Sequence, residues 1–198
     1  MKRRSILGKM LLGAAVITIT LGATSCKDNK ETDPTEVAEE QNEAKFEDTN
    51  EAKEDDAEYF VFAADVNRKE IELAKLAQQK STNAEVRAFA EILFNDHTKA
   101  MADLEKNAEL KNISLPTALS EDGKKAYDKL SKEKTEDFDK KYVDMMVDGH
   151  EEAIKKMEKA SEEANDEEIR MWAADMLPTL KTHHNEAVRL QDLIKEMK

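Results

Sequence analysis

Four histidines are the residues of this chain best suited to chemistry, and each lies in an apolar stripe of a predicted helix. The residues three, four and seven positions from His97 and from His150 are all apolar, and His183 and His184 have mostly apolar neighbours at these spacings. Glu70 is a carboxylate in the same kind of stripe. Residues at these spacings share one face of an α-helix. The pattern therefore predicts several imidazoles and one carboxylate facing the interior of a helical fold.

Such groups bind a metal ion when several helices bring them to one level. We expect the turns near Thr82 and Asn165 to lie at the same end of an up-down-up-down bundle. The sequence offsets of the candidates from that end then run from 82 − 70 = 12 to 183 − 165 = 18. A spread of six residues corresponds to about 9 Å along a helix. Neutral imidazole and carboxylate suit zinc, iron, manganese or copper. We therefore predict a mononuclear metal site of four residues: Glu70, His97, His150 and His183.

Two other interpretations of the same residues stay open. Buried His and Glu side chains can form a polar layer that only fixes the packing of the helices. They can also act as a pH-sensitive switch. Asn67, one turn before Glu70, is a further candidate for that layer.

Composition excludes most other functions. The 198 residues include one Cys and five Gly, which excludes an internal disulfide, a Cys-built metal cluster and most phosphate-binding loops. With 31 basic and 44 acidic residues, the net charge of −13 argues against nucleic acid as a partner. Neither H-E-x-x-H nor a Ser–His–Asp motif is present. We assign no catalytic residues and expect no enzyme, an oxidative metalloenzyme being the least favoured hypothesis.

The elements that position the candidates are predicted to be helices. Ser81-Thr82-Asn83 and Asn165-Asp166 indicate turns, and the residues from Lys111 to Gly123 form a longer connection. The apolar stripes predict four helices over about 58–80, 84–110, 124–164 and 167–197, with a separate short helix as an alternative for the start of the third. No stretch alternates with period two. The sequence therefore predicts an all-α, antiparallel bundle of two hairpins.

The second helices of the two hairpins begin alike. Glu85-Val86-Arg87-Ala88-Phe89-Ala90 matches Glu168-Ile169-Arg170-Met171-Trp172-Ala173 at a constant sequence offset, 168 − 85 = 83. We interpret the match as a weak internal duplication, although amphipathic helices also produce such likeness by chance.

The N-terminus has the pattern of a secretory signal. A basic head that includes Lys2 and Lys9 precedes an apolar run from Met10 to Leu21, which is shorter than the roughly 20 residues of a membrane-spanning helix. Ala23-Thr24-Ser25-Cys26 then resembles the lipobox of bacterial lipoproteins. The resemblance implies a signal peptide over residues 1–25 and lipid on Cys26. A simple secretory signal with an incidental Cys is the alternative.

An acidic segment follows Cys26. From Lys27 to Ala57 the chain has 13 acidic and 4 basic residues and almost no large apolar ones. Such a segment buries too little surface to offset the entropy of ordering. We predict a disordered linker over residues 26–57 and a folded domain over residues 58–198.

The folded part also resembles a known family. The motifs that carry the likeness are Asn67-Arg68-Lys69-Glu70-Ile71-Glu72-Leu73, Val86-Arg87-Ala88-Phe89-Ala90, Asp96-His97-Thr98, Ile113-Ser114-Leu115-Pro116, Phe138-Asp139-Lys140-Lys141-Tyr142, Met146-Val147-Asp148-Gly149-His150 and Leu177-Pro178-Thr179-Leu180 before His183. Together they resemble a bacterial family of unknown function with a ferritin-like four-helix bundle, often labelled a predicted outer-membrane protein. The resemblance implies this fold and an envelope location but no established activity.

One departure limits the analogy with ferritin. Di-iron bundles carry Glu-x-x-His on two helices, whereas Phe94, Val147 and Leu180 stand three residues before the three candidate histidines. Ferroxidase and iron-storage chemistry are therefore rejected.

These observations lead to one expected role and one alternative. We expect a cell-envelope protein held to the membrane by lipid on Cys26, an outer-membrane lipoprotein facing the periplasm or the cell surface. Its bundle is expected to bind a metal ion or a small ligand through the His/Glu layer. The alternative is a structural or protein-interaction module whose polar layer only fixes packing. The sequence identifies no protein partner.

Overall fold

The computed structural model describes residues 32–46 and 51–196, and every regular element in these stretches is an α-helix. The helices are α1 (Pro34–Phe46), α2 (Glu51–Lys80), α3 (Ala84–Lys111), α4 (Glu121–Ser131), α5 (Thr135–Glu163) and α6 (Glu167–Glu196). The all-α prediction is confirmed for this part of the chain, which contains six helices instead of four and no strand. The separate short helix before the third long one is α4.

Four of the helices, α2, α3, α5 and α6, have 28 to 30 residues each and lie side by side. Short turns join α2 to α3 and α5 to α6, so each pair is an antiparallel hairpin. The two hairpins meet where α2 contacts α5 and where α3 contacts α6.

The two hairpin turns lie at opposite ends of this assembly. Lys80, at the end of α2, donates to the carbonyl of Glu133 just before α5, at 3.2 Å. Lys111, at the end of α3, contacts Asp166 in the α5–α6 turn, at 2.6 Å. The connection that contains α4 therefore returns the chain to the other end before α5 begins. The expectation that the turns share an end was wrong, because this connection is long enough to run the length of the helices.

The core consists of two apolar clusters with a polar layer between them. One cluster surrounds Phe89 and Leu190, and the other surrounds Phe60 and Ile169. Each long helix contributes to both clusters, and its midpoint lies between them. The buried polar side chains at these midpoints, which we call the polar layer, are Asn67, Glu70, His97, His150 and His183.

Helix α1 and the first residues of α2 lie within residues 26–57, for which we predicted a disordered linker, and the prediction is wrong for residues 34–46 and 51–57. Ala38, Asn42 and Phe46 lie one helical turn apart and are all buried. The Asn42 side chain donates to the carbonyl of Ser114 at 3.0 Å and accepts from its N–H at 2.6 Å. The segment is therefore ordered by a narrow stripe of one small, one polar and one aromatic residue. A scarcity of large apolar residues does not reveal such a stripe, because two of its three members are a small residue and a polar one.

The predicted signal peptide and Cys26 lie outside the residues that the structure describes. Within residues 32–46 and 51–196, no helix combines the length and apolar character that crossing a membrane requires.

Candidate metal centre

Three of the predicted ligands meet in the polar layer. His97 lies on α3, His150 on α5 and His183 on α6, and each is at most 4% exposed. The ring centroids lie 5.3 to 5.6 Å apart. One nitrogen atom from each ring lies within 4.8 Å of the other two. The structure thus brings together three of the four residues selected from the sequence as one buried group, which we call the His cluster.

Hydrogen bonds fix which nitrogen of His97 and of His150 carries the proton. His97 Nδ1 lies 2.8 Å from Oδ1 of Asn67, and His150 Nδ1 lies 2.9 Å from the carbonyl oxygen of Met146. Both oxygen atoms accept hydrogen bonds, so Nδ1 is the protonated nitrogen in each ring. The Nε2 atoms of both rings are therefore left as lone-pair donors.

His183 is held in the opposite tautomer. Its Nε2 lies 2.9 Å from Oδ2 of Asp96, and a carboxylate accepts, so this nitrogen carries the proton. The remaining lone pair is on Nδ1. His97 Nε2, His150 Nε2 and His183 Nδ1 are all buried without a hydrogen-bond partner in the described part of the chain. Three unprotonated nitrogen atoms therefore remain in one buried group.

Burial keeps the three imidazoles neutral. It lowers the pKa of His97 well below 6.5, an effect reinforced by the neighbouring His150 and His183. It lowers the pKa of His150 to about 4 and also lowers the pKa of His183, against the opposing effect of Asp96. Neutral imidazole is the form that binds metal ions.

Glu70 is buried in the same layer but is not one of the three grouped ligands. Its side chain is 1% exposed, and its Oε2 has no hydrogen-bond partner among the described residues. Burial raises its pKa to about 7, against the opposing charge of Lys69. A Cβ atom at Gly149 would lie 3.2 Å from Glu70 Oε1. The glycine beside His150 therefore leaves room for this carboxylate.

The structure also separates the two adjacent histidines and adds one residue to the site. His183 is buried, whereas the neighbouring His184 is partly exposed. The sequence did not indicate Asp96 as a site residue, because Asp96 lies outside the apolar stripe of α3. In the structure its side chain is 47% exposed. The signal that could have found it is a carboxylate next to a candidate ligand, since metal-binding histidines commonly donate to one.

The arrangement has the donor set of a transition-metal site. Three neutral imidazoles with oriented rings and one buried carboxylate match the nitrogen and oxygen ligands of zinc, iron, manganese or copper. Each imidazole is oriented by an oxygen acceptor, the arrangement that metal-binding histidines usually show.

Comparison with known proteins places the chain in a family. No curated protein and no solved structure matches it. One family model, described as a domain of unknown function (DUF4142), matches residues 41–190. Because this match covers most of the chain, including the whole polar layer, the chain belongs to the DUF4142 family.

Proposed function

We propose that this chain binds one transition-metal ion through His97, His150 and His183, with Glu70 as the fourth ligand. Two observations carry the proposal: one nitrogen atom from each of the three rings lies within 4.8 Å of the other two, and one buried nitrogen of each ring has no hydrogen-bond partner among the described residues. Tetrahedral coordination at about 2.1 Å separates ligand atoms by about 3.4 Å. A shift of about 1 Å would therefore draw the three rings onto an ion.

The orientation of the hydrogen bonds favours a metal over a polar layer that only fixes packing. In such a layer the imidazoles and Glu70 would satisfy one another. Instead, none of the hydrogen bonds of the three rings goes to another imidazole or to Glu70: His97 bonds to Asn67 of the same layer, His150 to the carbonyl of Met146, and His183 to Asp96. A buried polar group without a partner costs about 1–3 kcal/mol, so four of them are a substantial cost that one bound cation would remove.

We further propose that the four long helices form a ferritin-like bundle held at the bacterial envelope by lipid on Cys26. One long crossover connection between two hairpins is the topology of ferritin-like folds. The basic head, the apolar run and the Ala23-Thr24-Ser25-Cys26 motif support the anchor. Replacement of Cys26 by Ser should release the protein from membranes, and continued pelleting of the variant with membranes would contradict lipidation.

Metal analysis of the natively purified full chain tests the site. We expect about one equivalent of metal, and a rise in melting temperature when zinc, iron, manganese or copper is added to the metal-free protein. The double variant His97→Ala/His150→Ala should lose both effects. His184→Ala is the matched control, because this histidine is adjacent to the cluster in sequence and partly exposed.

The opposite result has a definite meaning. If the natively purified chain holds no metal and none of the four metals changes its melting, the polar layer only fixes packing. The alternative of a structural or protein-interaction module would then be supported.

A further inference from the structure

The ligand atoms of the His cluster are sealed from solvent, so an ion needs a route to reach them. A cavity of about 60 Å³ lies beside two of the three imidazoles, His97 and His183. This volume exceeds the roughly 10–15 Å³ that a cavity needs to hold one water molecule. Most of its walls are apolar, with Phe62, Met157 and Trp172 among them.

The cavity reaches the surface between α3 and α6. Asp96 on α3 and Thr179 on α6 both line it, and both are exposed to solvent. Asp96 is also the residue that accepts the hydrogen bond of His183. The acceptors for the other two imidazoles, Asn67 and the carbonyl of Met146, belong to buried residues. His183 is therefore the ligand with a direct connection to a solvent-facing charge.

We propose that this cavity is the route by which a divalent cation enters and leaves the His cluster, with Asp96 as its first contact. The proposal rests on the metal-binding function proposed above. A net charge of −13 and an exposed carboxylate at the opening attract cations from solution. Rotation of the His183 ring, whose partner is at the surface, then opens the path with the least disturbance of the core.

Kinetics with Co²⁺ on the full chain test the route. Ala100 lies one turn after His97, lines the cavity and is not a ligand. Ala100→Leu fills the cavity. A filled cavity raises the kinetic barrier to passage of the ion but leaves the free energies of the metal-free and metal-bound chain unchanged. We expect Co²⁺ binding and its release into excess chelator to slow by the same factor, at least about tenfold, with Kd unchanged.

A second variant and a control keep the test independent of packing in the core. Thr179→Leu narrows the exposed opening and should slow both rates in the same way. Ala102→Leu adds the same bulk at an exposed position of α3 that does not line the cavity, and should leave both rates unchanged. Asp96→Asn keeps the shape of the opening and removes its charge. It should slow binding and weaken the dependence of the binding rate on salt.

The outcomes separate the route from the site. Unchanged rates in both Ala100→Leu and Thr179→Leu would overturn the route while leaving the metal site intact. Faster release alone, with weaker affinity, would also overturn it, because that result indicates damaged ligand geometry. Failure of the unmodified chain to bind Co²⁺ or any of zinc, iron, manganese and copper would overturn the metal site and the route together.

Discussion

The turn between α2 and α3 and the turn between α5 and α6 are closed by the same hydrogen bonds at equivalent positions of the two hairpins. In the first turn, Oδ1 of Asn83 accepts from the N–H of Glu85 at 2.8 Å. In the second, Oδ1 of Asp166 accepts from the N–H of Glu168, also at 2.8 Å. Each acceptor satisfies a free N–H in the first turn of its helix.

An arginine in each second helix completes the likeness. The guanidinium of Arg87 donates to the carbonyl of Ser81 at 2.9 Å, and that of Arg170 donates to the carbonyl of Ala164 at 2.6 Å. Both arginines reach back six residues to the carbonyl at the end of the preceding helix. The weak sequence match between the hairpins therefore has a structural counterpart at their turns.

In the polar layer the two hairpins differ. The sequence offset that relates the two turns pairs Asn67 with His150, so the first hairpin has a hydrogen-bond acceptor where the second has an imidazole. By the same offset His97 corresponds to Leu180, and His183 corresponds to Ala100. The shared turns thus fix the hairpin geometry, while the chemistry of the layer depends on residues that the two hairpins do not share.

The largest expected effect compares the equivalent positions 67 and 150. His150→Ala removes a proposed ligand and should lower the affinity for Zn²⁺ by more than about a hundredfold. Asn67→Ala removes only the acceptor that orients His97, and loss of such a partner typically costs about 10–100-fold. Titration of the metal-free full chain against a chelator of known affinity measures both. Equal losses at the two positions would contradict the distinction between ligand and orienting residue.

The convergence of the histidines could be predicted from sequence even though the assumed topology was wrong. His97 and His150 lie near the middle of helices of 28 and 29 residues. A residue at a midpoint lies at nearly the same level whichever end its helix starts from. Periodicity therefore identified the His cluster. The connection between Asn112 and Lys134 contains the amphipathic helix α4, but the periodicity of a helix does not show in which direction the connection runs.

Contacts between distant segments escaped sequence analysis for a different reason. Asp96 and His183 are 87 residues apart, and nothing in a single sequence pairs an exposed carboxylate with a histidine on another helix. The same holds for Asn42, whose partner Ser114 is 72 residues away. Composition described α1 correctly as acidic and poor in apolar residues, but it carried no information on these partners.

A second comparison concerns how each turn satisfies its N–H groups. In the α5–α6 turn, the N–H groups of Asn165 and Asp166 donate to the carboxylate of Asp56 on α2, at 2.7 and 2.8 Å. Asp56→Ala leaves both donors unpaired and should lower the free energy of unfolding by about 2–3 kcal/mol. Urea denaturation measures the change. The exposed Asp55→Ala on the same helix is the control, and an equal effect of the two variants would show that Asp56 has no special role.

Acid should destabilise the metal-free chain through protonation of His150, which lies on the second hairpin. Its pKa is about 4 in the folded chain and about 6.5 when unfolded, so its contribution to stability is present above pH 6.5 and is lost as pH falls towards 4. His150→Asn places the same residue type at positions 67 and 150. It should reduce the pH dependence of the unfolding free energy in this window by up to about 1.4 kcal/mol per pH unit.

The pH dependence of the unfolding free energy also contains a contribution from Glu70. Glu70 has the opposite effect on the pH dependence of stability. Its pKa is raised from 4.5 to about 7 in the folded chain, so its contribution to stability is lost as pH rises from 4.5 towards 7. Urea denaturation across this pH range measures the slope. The control is His184→Asn, and an unchanged slope in His150→Asn would show that His150 is not held neutral by burial.

The smallest expected effect tests why only the second turn needs Asp56. In the first turn, the N–H of Asn83 donates to Oγ of Ser81 at 3.2 Å, whereas the equivalent position 164 is an alanine without a hydroxyl. Ser81→Ala should therefore lower the free energy of unfolding by about 1 kcal/mol, the usual value of one hydrogen bond. Conversely, Ala164→Ser in an Asp56→Ala background should restore about 1 kcal/mol, because the new hydroxyl can accept from Asp166. Urea denaturation of the single and double variants measures both values. If Ala164→Ser restores nothing, the two turns differ by more than the residue that accepts their N–H groups.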